Sequence, residues 1–337
     1  MRKLTKSAVY DACRYLGVNS LSRALHRHKL LVLGYHGVVA EHRTDRFGYG
    51  NTVCVREFEQ HLDFLGQCFQ PVSADDVIAA FAGAKPLPER AALVTFDDGY
   101  RNNLTLAADI LERKGIPAIV FLTTSYIGTD RRLWPDEVVY RILEWTRAAL
   151  PLPQGGEISL PSNLAEKRTT AWRIKEQCKR LPTEQVEAYL SILRKSGIEL
   201  KKNEELFAFL SWGEVRALRR RGFGIGSHTV NHPILTRIPP HRLEMELMES
   251  KLHIERELGE ACTSIAYPNG GPEDVSDEVL QTARQAGYKL GFTVAEQHSG
   301  LNEDALGISR ICVQGHLPVS AFEWRASGVD GLYRRAS

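Results

Sequence analysis

An apolar run at residues 91–96, a helical face at 103–114 and a second apolar run at 117–122 follow one another in this chain. Leu104, Ala107, Ala108 and Leu111 make the helical face, which ends at Gly115, the residue type that most readily takes the left-handed conformation closing a helix. Two short buried strands joined through a helix pair parallel, since a tight hairpin cannot connect them. The same alternation recurs. Helical spacing appears at 55–69, 74–82, 242–258 and 277–286, the last two ended by Gly259 and Gly287, with strand candidates at 30–34, 264–267 and 289–294. A mainly parallel sheet with outer helices is expected, although periodicity does not separate an open sheet from a closed barrel. Residues 130–210 break the pattern with a Pro- and Gly-rich stretch at 151–156 and then polar helical sequence rich in Lys, Arg and Glu. They read as an insertion that emerges on or beside the functional side, either as a wall of a groove, as a partner surface or as a solvated helical decoration.

With 337 residues, 43% of them hydrophobic and 25% charged, the chain is long enough for one large α/β domain and an inserted subdomain. The 43 basic and 41 acidic residues are interspersed, giving a net charge of +2 and no field suited to nucleic acid. Cys13, Cys54, Cys68, Cys178, Cys262 and Cys312 are scattered without paired spacing, which fits reduced thiols and a cytoplasmic location. No continuous apolar segment suggests a secretory signal or a transmembrane helix. Residues 1–30 form a helical lead in this reading, with a helix interrupted near Gly17. In residues 4–29 the apolar Val9, Ala12, Leu16, Leu21 and Leu25 alternate with Arg14, Arg23, Arg27 and Lys29. The lead is expected to pack on the domain, with contact to an anionic membrane surface, at its inner face, as the alternative.

Two short strings carry the chemistry. The first, Thr95-Phe96-Asp97-Asp98-Gly99-Tyr100, follows an apolar strand, and the second, Gly226-Ser227-His228-Thr229-Val230-Asn231-His232, follows the run 222–225. Adjacent strand residues point to opposite sides, so Asp97 and Asp98 are expected to do different jobs. The two imidazoles lie on one face if a helical turn follows the strand, and together with one carboxylate they suit a divalent metal with open positions. The remaining carboxylate is then placed to act as general base on a metal-bound water. Taken alone, the first string also reads as a strand-to-loop turn and the second as a solvated histidine pair. Their joint occurrence at strand ends points to metal-assisted hydrolysis, because parallel α/β folds gather functional residues there.

The two strings resemble the first and second motifs of the NodB-type polysaccharide deacetylases, metal-dependent enzymes that remove acetyl groups from N-acetylated sugars. Leu33-Gly34-Tyr35-His36-Gly37-Val38 resembles the Tyr-His-x-Val segment that opens one subgroup, and Ala266-Tyr267-Pro268-Asn269-Gly270 resembles its Tyr-Pro-x-Gly segment. The similarity spans about residues 31–313, interrupted at 130–210. It implies a distorted (β/α) barrel occupying residues 31–325, with a mainly helical insertion at 130–210 and a tail at 326–337. It also implies Asp98, His228 and His232 as metal ligands, Asp97 as general base and His36 as general acid protonating the departing amine. The backbone N–H of Asn269, in the Tyr267–Gly270 loop, is implied as the oxyanion donor. His36 read by itself is equally a strand-end histidine bonded across the sheet, and Tyr35, Tyr100 and Tyr267 are each either site residues or core edges.

Two departures stand out. Many members place an arginine before the third motif to orient the base, whereas Ala266 and Tyr267 stand here; Arg310, on a late strand, is the candidate replacement. The late tryptophan motif is not evident, and Trp134 with Asp136 is expected to line the sugar site instead. The implied cofactor is one divalent ion, zinc first, with cobalt, manganese, iron or nickel accepted by the same donors. The expected substrate is an N-acetylated glycan or glycolipid. A non-sugar amide, or a carbohydrate-binding relative without turnover, are the competing readings.

Overall fold

The structure, a computed structural model, describes residues 6–41, 51–200, 206–315 and 317–330. The chain enters through α1 (Lys6–Tyr15) and α2 (Val18–Leu25), then runs through β1 (Leu31–Tyr35), β2 (Gly37–Val39), β3 (Thr52–Cys54), α3 (Val55–Cys68), β4 (Gln70–Pro71), α4 (Ala74–Phe81) and β5 (Ala91–Phe96). A π-helical turn at Asn103–Ala107 opens α5 (Ala108–Lys114), which leads to β6 (Ala118–Leu122). After the inserted α6 (Trp134–Leu143), β7 (Ala149–Pro151), β8 (Glu157–Ser159), α7 (Leu164–Cys178) and α8 (Thr183–Arg194), the alternation resumes. It continues with α9 (Trp212–Arg220), β9 (Gly224–Ser227), α10 (Pro240–Leu258), β10 (Ser264–Ala266), α11 (Asp277–Gln285), β11 (Leu290–Val294), β12 (Ile308–Cys312) and α12 (Val319–Ala326).

The parallel pairing runs β1, β5, β6, β9, β10, β11, β12 and returns to β1, so seven strands close into the expected (β/α) barrel. Leu33 and Gly34 make the closure, Leu33 opposite Val94 of β5 and Ile311 of β12, and Gly34 opposite Thr95 and Cys312. The period of two along the strands separates two apolar layers. Leu31, Leu33, Val94 and Val120 pack outward with Phe58, Leu62, Leu111 and Leu247 of the helices, while Val32, Leu93, Ile119, Phe121 and Phe292 fill the interior. Gly226 is required on β9, since a Cβ there would lie 2.5 Å from the Phe121 ring.

The insertion packs around a second apolar cluster, built from Val138, Tyr140, Leu150, Ile174, Tyr189 and Leu193 and joined by Val39 of β2 and Cys54 of β3. It is not purely helical, because β7 and β8 form an antiparallel hairpin. The N-terminal helices dock on α12: the Tyr10 and Trp324 rings are 5.5 Å apart, Arg14 pairs with Glu323 at 3.2 Å, and Ser22 donates to the Ser327 carbonyl oxygen at 2.7 Å. Their apolar residues do not make that contact as expected. Tyr15, Leu16, Leu21 and Leu25 are 88%, 79%, 64% and 63% exposed, because polar Asn19 and Ser22 occupy the buried side of α2. Of the expected C-terminal tail, residues 326–330 belong to this packing, and 331–337 lie outside the described residues. Among the described residues no helix is long and apolar enough to cross a membrane.

Candidate metal centre and catalytic pocket

The carboxyl ends of β1, β5, β9, β10 and β12 converge on one pocket, lined among others by His36, Asp97, Asp98, His228, His232 and Arg310. Asp97 extends the β5 ladder, its N–H donating to the Tyr35 carbonyl oxygen at 2.8 Å. Asp98 then turns into the left-handed region at φ 75°, followed by Gly99 at φ 81°. The two carboxylates are therefore separated by a backbone kink beyond the strand, not by strand alternation, and both face the pocket. A left-handed aspartate is uncommon and carries strain that the surrounding packing must hold.

Asp97 is gripped by Arg310, which points inward from β12 and is fully buried. Its two terminal nitrogens meet the two carboxylate oxygens at 2.7 and 2.8 Å, and one of them also reaches Thr95 Oγ1 at 3.2 Å. Burial pushes the Asp97 carboxyl up, but the Arg310 guanidinium outweighs it and holds the group well below the usual carboxylate range.

His228 Nδ1 donates to the Ala266 carbonyl oxygen at 2.7 Å, which turns its Nε2 lone pair toward Asp98. Nε2 of His228 and of His232 stand 3.5 and 3.4 Å from Asp98 Oδ1. The spacing does not arise from a helical turn, contrary to expectation. Thr229 and His232 adopt φ 67° and 59°, and Pro233 disfavours helical backbone at the residue before it. The loop is held instead by Glu246 of α10, whose Oε2 accepts the Val230 and Asn231 N–H groups, both at 2.8 Å, while Oε1 accepts Asn231 Nδ2 at 2.8 Å. Burial lowers His228 to about 4, so its imidazole is neutral and able to ligate. Ligand atoms of Asp98, His228 and His232 lie within 4.8 Å of one another, and Asp98 Oδ1 is buried without a hydrogen-bond partner. An anionic oxygen with no partner between two imidazole nitrogens is costly unless a cation sits there, so the residues fit a divalent metal.

His36 lies just beyond β1, with a buried Nδ1 that has no hydrogen-bond partner, while its carbonyl oxygen accepts Asn103 Nδ2 at 2.9 Å. Asn269, at φ 62°, lines the pocket with its side chain committed to Asp274. Tyr267 borders the pocket too, but its hydroxyl donates to the Leu306 carbonyl oxygen at 2.9 Å. That strap crosses Gly291, where a Cβ would stand 2.3 Å from the hydroxyl. Asp136 lines the pocket and accepts the Tyr100 hydroxyl at 2.6 Å, with burial raising its carboxyl.

Trp134 is not beside it, which corrects the expectation of a stacking platform. As the first residue of α6 it faces a neighbouring cavity with Tyr126 and Val186, and its Nε1 donates to the His232 carbonyl oxygen at 3.1 Å. Adjacent positions at a helix start diverge by about 100° per residue, so Trp134 and Asp136 do not share one face. Glu246, Lys175 and Lys179 were missed by sequence reasoning. Glu246 had a signal, a carboxylate on the same face as Leu243 and Leu247.

The model of the polysaccharide deacetylase family matches residues 84–155 and 164–291. The Bacillus subtilis protein YxkH is 21% identical over 297 residues, 87% of this chain and 75% of the relative. The poly-beta-1,6-N-acetyl-D-glucosamine N-deacetylase of Escherichia coli is 35% identical over 114 residues, 33% of this chain and 17% of that protein. In fold, the Streptococcus pyogenes deacetylase PplD, solved with acetate, superposes with a TM-score of 0.57 at 19% identity, covering 87% of this chain and 96% of the other. The matched span holds Asp97, Asp98, His228, His232 and the barrel strands that carry them, and on it the chain belongs to the polysaccharide deacetylase family.

Proposed function

We propose that the chain is a metal-dependent N-deacetylase that removes acetyl groups from an N-acetylated sugar of a glycan or glycolipid. The observation that carries this reading is the buried, unpartnered Asp98 Oδ1 at 3.4 to 3.5 Å from two imidazole nitrogens, with an Arg-clamped carboxylate next to it in sequence. Asp98, His228 and His232 would hold the ion, zinc by donor type, with cobalt, manganese, iron or nickel accepted by the same set. When bound, such an ion supplies Lewis-acid polarisation of the acetyl carbonyl and lowers the pKa of water.

Asp97 takes the proton of the attacking water. Arg310 favours its ionised form and fixes its orientation, so it is available as acceptor. His36 donates a proton to the sugar nitrogen, without which an amine leaves poorly. The Asn269 backbone N–H offers the developing oxyanion a donor from the Tyr267–Gly270 loop. A binding protein without turnover had its main support in the missing third-motif arginine, and the Asp97–Arg310 pair removes that support. The six free cysteines support a reducing, cytoplasmic setting. The exposed Leu16, Leu21 and Leu25 beside Arg23 and Arg27 support peripheral contact of residues 4–29 with an anionic membrane face, which suits a lipid-linked substrate.

Acetate release from N-acetylated oligosaccharides, measured on chelator-stripped, metal-restored and restored Asp97→Asn protein, tests the reading. Release is expected to need added metal. Asp97→Asn should lose about 100-fold or more in kcat while still binding one metal equivalent, and His228→Ala should lose both. A near-normal rate in Asp97→Asn removes the base assignment; release indifferent to chelation removes the metal.

A further inference from the structure

The catalytic pocket has a wall that does not come from the barrel. Lys175 of α7 and Lys179, the residue that caps the end of that helix, line it from the insertion together with Asp136. The lysines are four residues apart, on one helix face. Lys175 is 5% exposed, and a lysine so deeply buried is uncommon without an anionic partner. Both ammonium groups share a single carboxylate: Glu176 Oε1 is 3.2 Å from Lys175 Nζ and 3.2 Å from Lys179 Nζ. Lys175 Nζ also sits 3.2 Å from the centroid of the Trp172 ring. Two cations therefore face the pocket with one half-exposed anion between them. Asp136 also stands near Lys175, but its Oδ2 is taken by the Tyr100 hydroxyl and burial raises its carboxyl. Asp97 is already matched by Arg310. Burial pulls Lys175 down to about 8, which leaves it charged at neutral pH and gives it more to gain from a second anion than an exposed lysine has.

We propose that Lys175 and Lys179 form an anion subsite in the catalytic pocket, so that the preferred substrate carries a carboxylate or phosphate on or next to its N-acetylated sugar. This rests on the deacetylase reading above and adds the charge of the substrate to it. A uronate residue and a sugar phosphate present the same chemistry to the lysines, and their source is separated by the choice of ligands.

The test compares three matched ligands: a neutral N-acetylglucosamine oligomer, the same oligomer carrying one glucuronate, and the same carrying a terminal phosphate. Acetate release and equilibrium dialysis are measured on metal-loaded full-length protein. The expected result is a kcat/KM about tenfold higher for at least one charged ligand, one ion-pair's worth of binding, with the better of the two naming the source. That ratio should fall to near one in Lys175→Met/Lys179→Met and shrink as salt is raised. Lys179→Met, at a more exposed position, carries the test if the double variant does not keep the wild-type circular dichroism. Equal kcat/KM for neutral and charged ligands overturns the subsite. If no ligand is deacetylated, the activity reading fails separately, and dialysis still decides: tighter binding of a charged ligand that depends on the lysines sustains the subsite, and equal affinities overturn it.

Discussion

Arg310 shows how much one side chain can set. It is an arginine in an apolar strand, turned into a barrel interior packed mainly with Val, Leu, Ile, Phe and Ala, and its charge is matched by the Asp97 carboxylate. The pair's bidentate geometry orients the proposed base as well as neutralising it, which a lysine's single point charge cannot reproduce. Removing the cation takes away the largest influence that opposes burial, so the Asp97 pKa, now held below the usual range, would rise. For Arg310→Met we expect kcat to fall by about 10- to 100-fold at neutral pH. We also expect an acid limb that moves to higher pH and a lower melting temperature, because breaking a buried pair typically costs roughly 3–5 kcal/mol. A pH–rate profile beside a thermal melt checks this; an unshifted acid limb would show that Arg310 does not act through Asp97.

At the scale of elements, the second histidine is placed by a helix that carries no ligand. Glu246 sits on the buried face of α10 between Leu243 and Leu247, and its carboxylate takes the place that helical hydrogen bonds would have had in the 228–232 loop. Three donors on one carboxylate make a rigid clamp. Trp134 adds a fourth tie through the His232 carbonyl oxygen, linking the insertion to the candidate metal centre. We expect Glu246→Ala to weaken metal affinity by about tenfold, with a far-UV spectrum close to wild type, and Glu246→Gln to recover part of the loss. Titration with a colorimetric zinc competitor reads both. The helix pattern over 242–258 was legible from spacing, but a helix pattern cannot say that its one inward carboxylate caps a loop from another strand.

Across the whole molecule, burial lowers three histidines, His61, His228 and His298, to about 4. His61 stacks on Phe322 at 3.8 Å and His298 bonds the Ala326 carbonyl oxygen at 2.9 Å, so two of the three lie under α12 and the N-terminal helices, far from the metal ligands in sequence. Their ordinary pKa is near 6.5, so between about pH 6.5 and 4 the unfolded chain binds protons that the folded one refuses. Stability is therefore complete above that window and falls as pH drops through it, by up to roughly 3 kcal/mol for each histidine. The melting temperature of metal-free protein should decline from pH 7 to pH 4, before most carboxylates titrate, and His61→Phe, which preserves a ring against Phe322, should flatten the decline. A melting temperature constant over that range would refute it.

Spacing and residue type alone carried the strand–helix alternation, the two motif strings and a donor set of two imidazoles with one of two adjacent carboxylates, while the choice of Asp98 over Asp97 came from the family resemblance. These are local properties: a strand run, a glycine stop or a pair of imidazoles four residues apart is visible without knowing what lies across the sheet. Arg310 was legible because the arginine that the resembled family places before its third motif is replaced here by Ala266 and Tyr267, which left a late-strand arginine as the candidate to orient Asp97. Tertiary structure alone decided the rest. Closure of the barrel depends on β1 pairing with both β5 and β12, contacts between segments far apart in sequence that leave no periodicity behind. The left-handed turns at Asp98 and His232 are strained conformations held by packing, which propensity would not choose. The direction Trp134 faces, the exposure of Leu16, Leu21 and Leu25 and the turn of Lys175 and Lys179 toward the pocket follow from how the insertion and the terminal helices dock on the barrel. Docking is set by the shape of both surfaces together, and a sequence read one segment at a time shows only one of them.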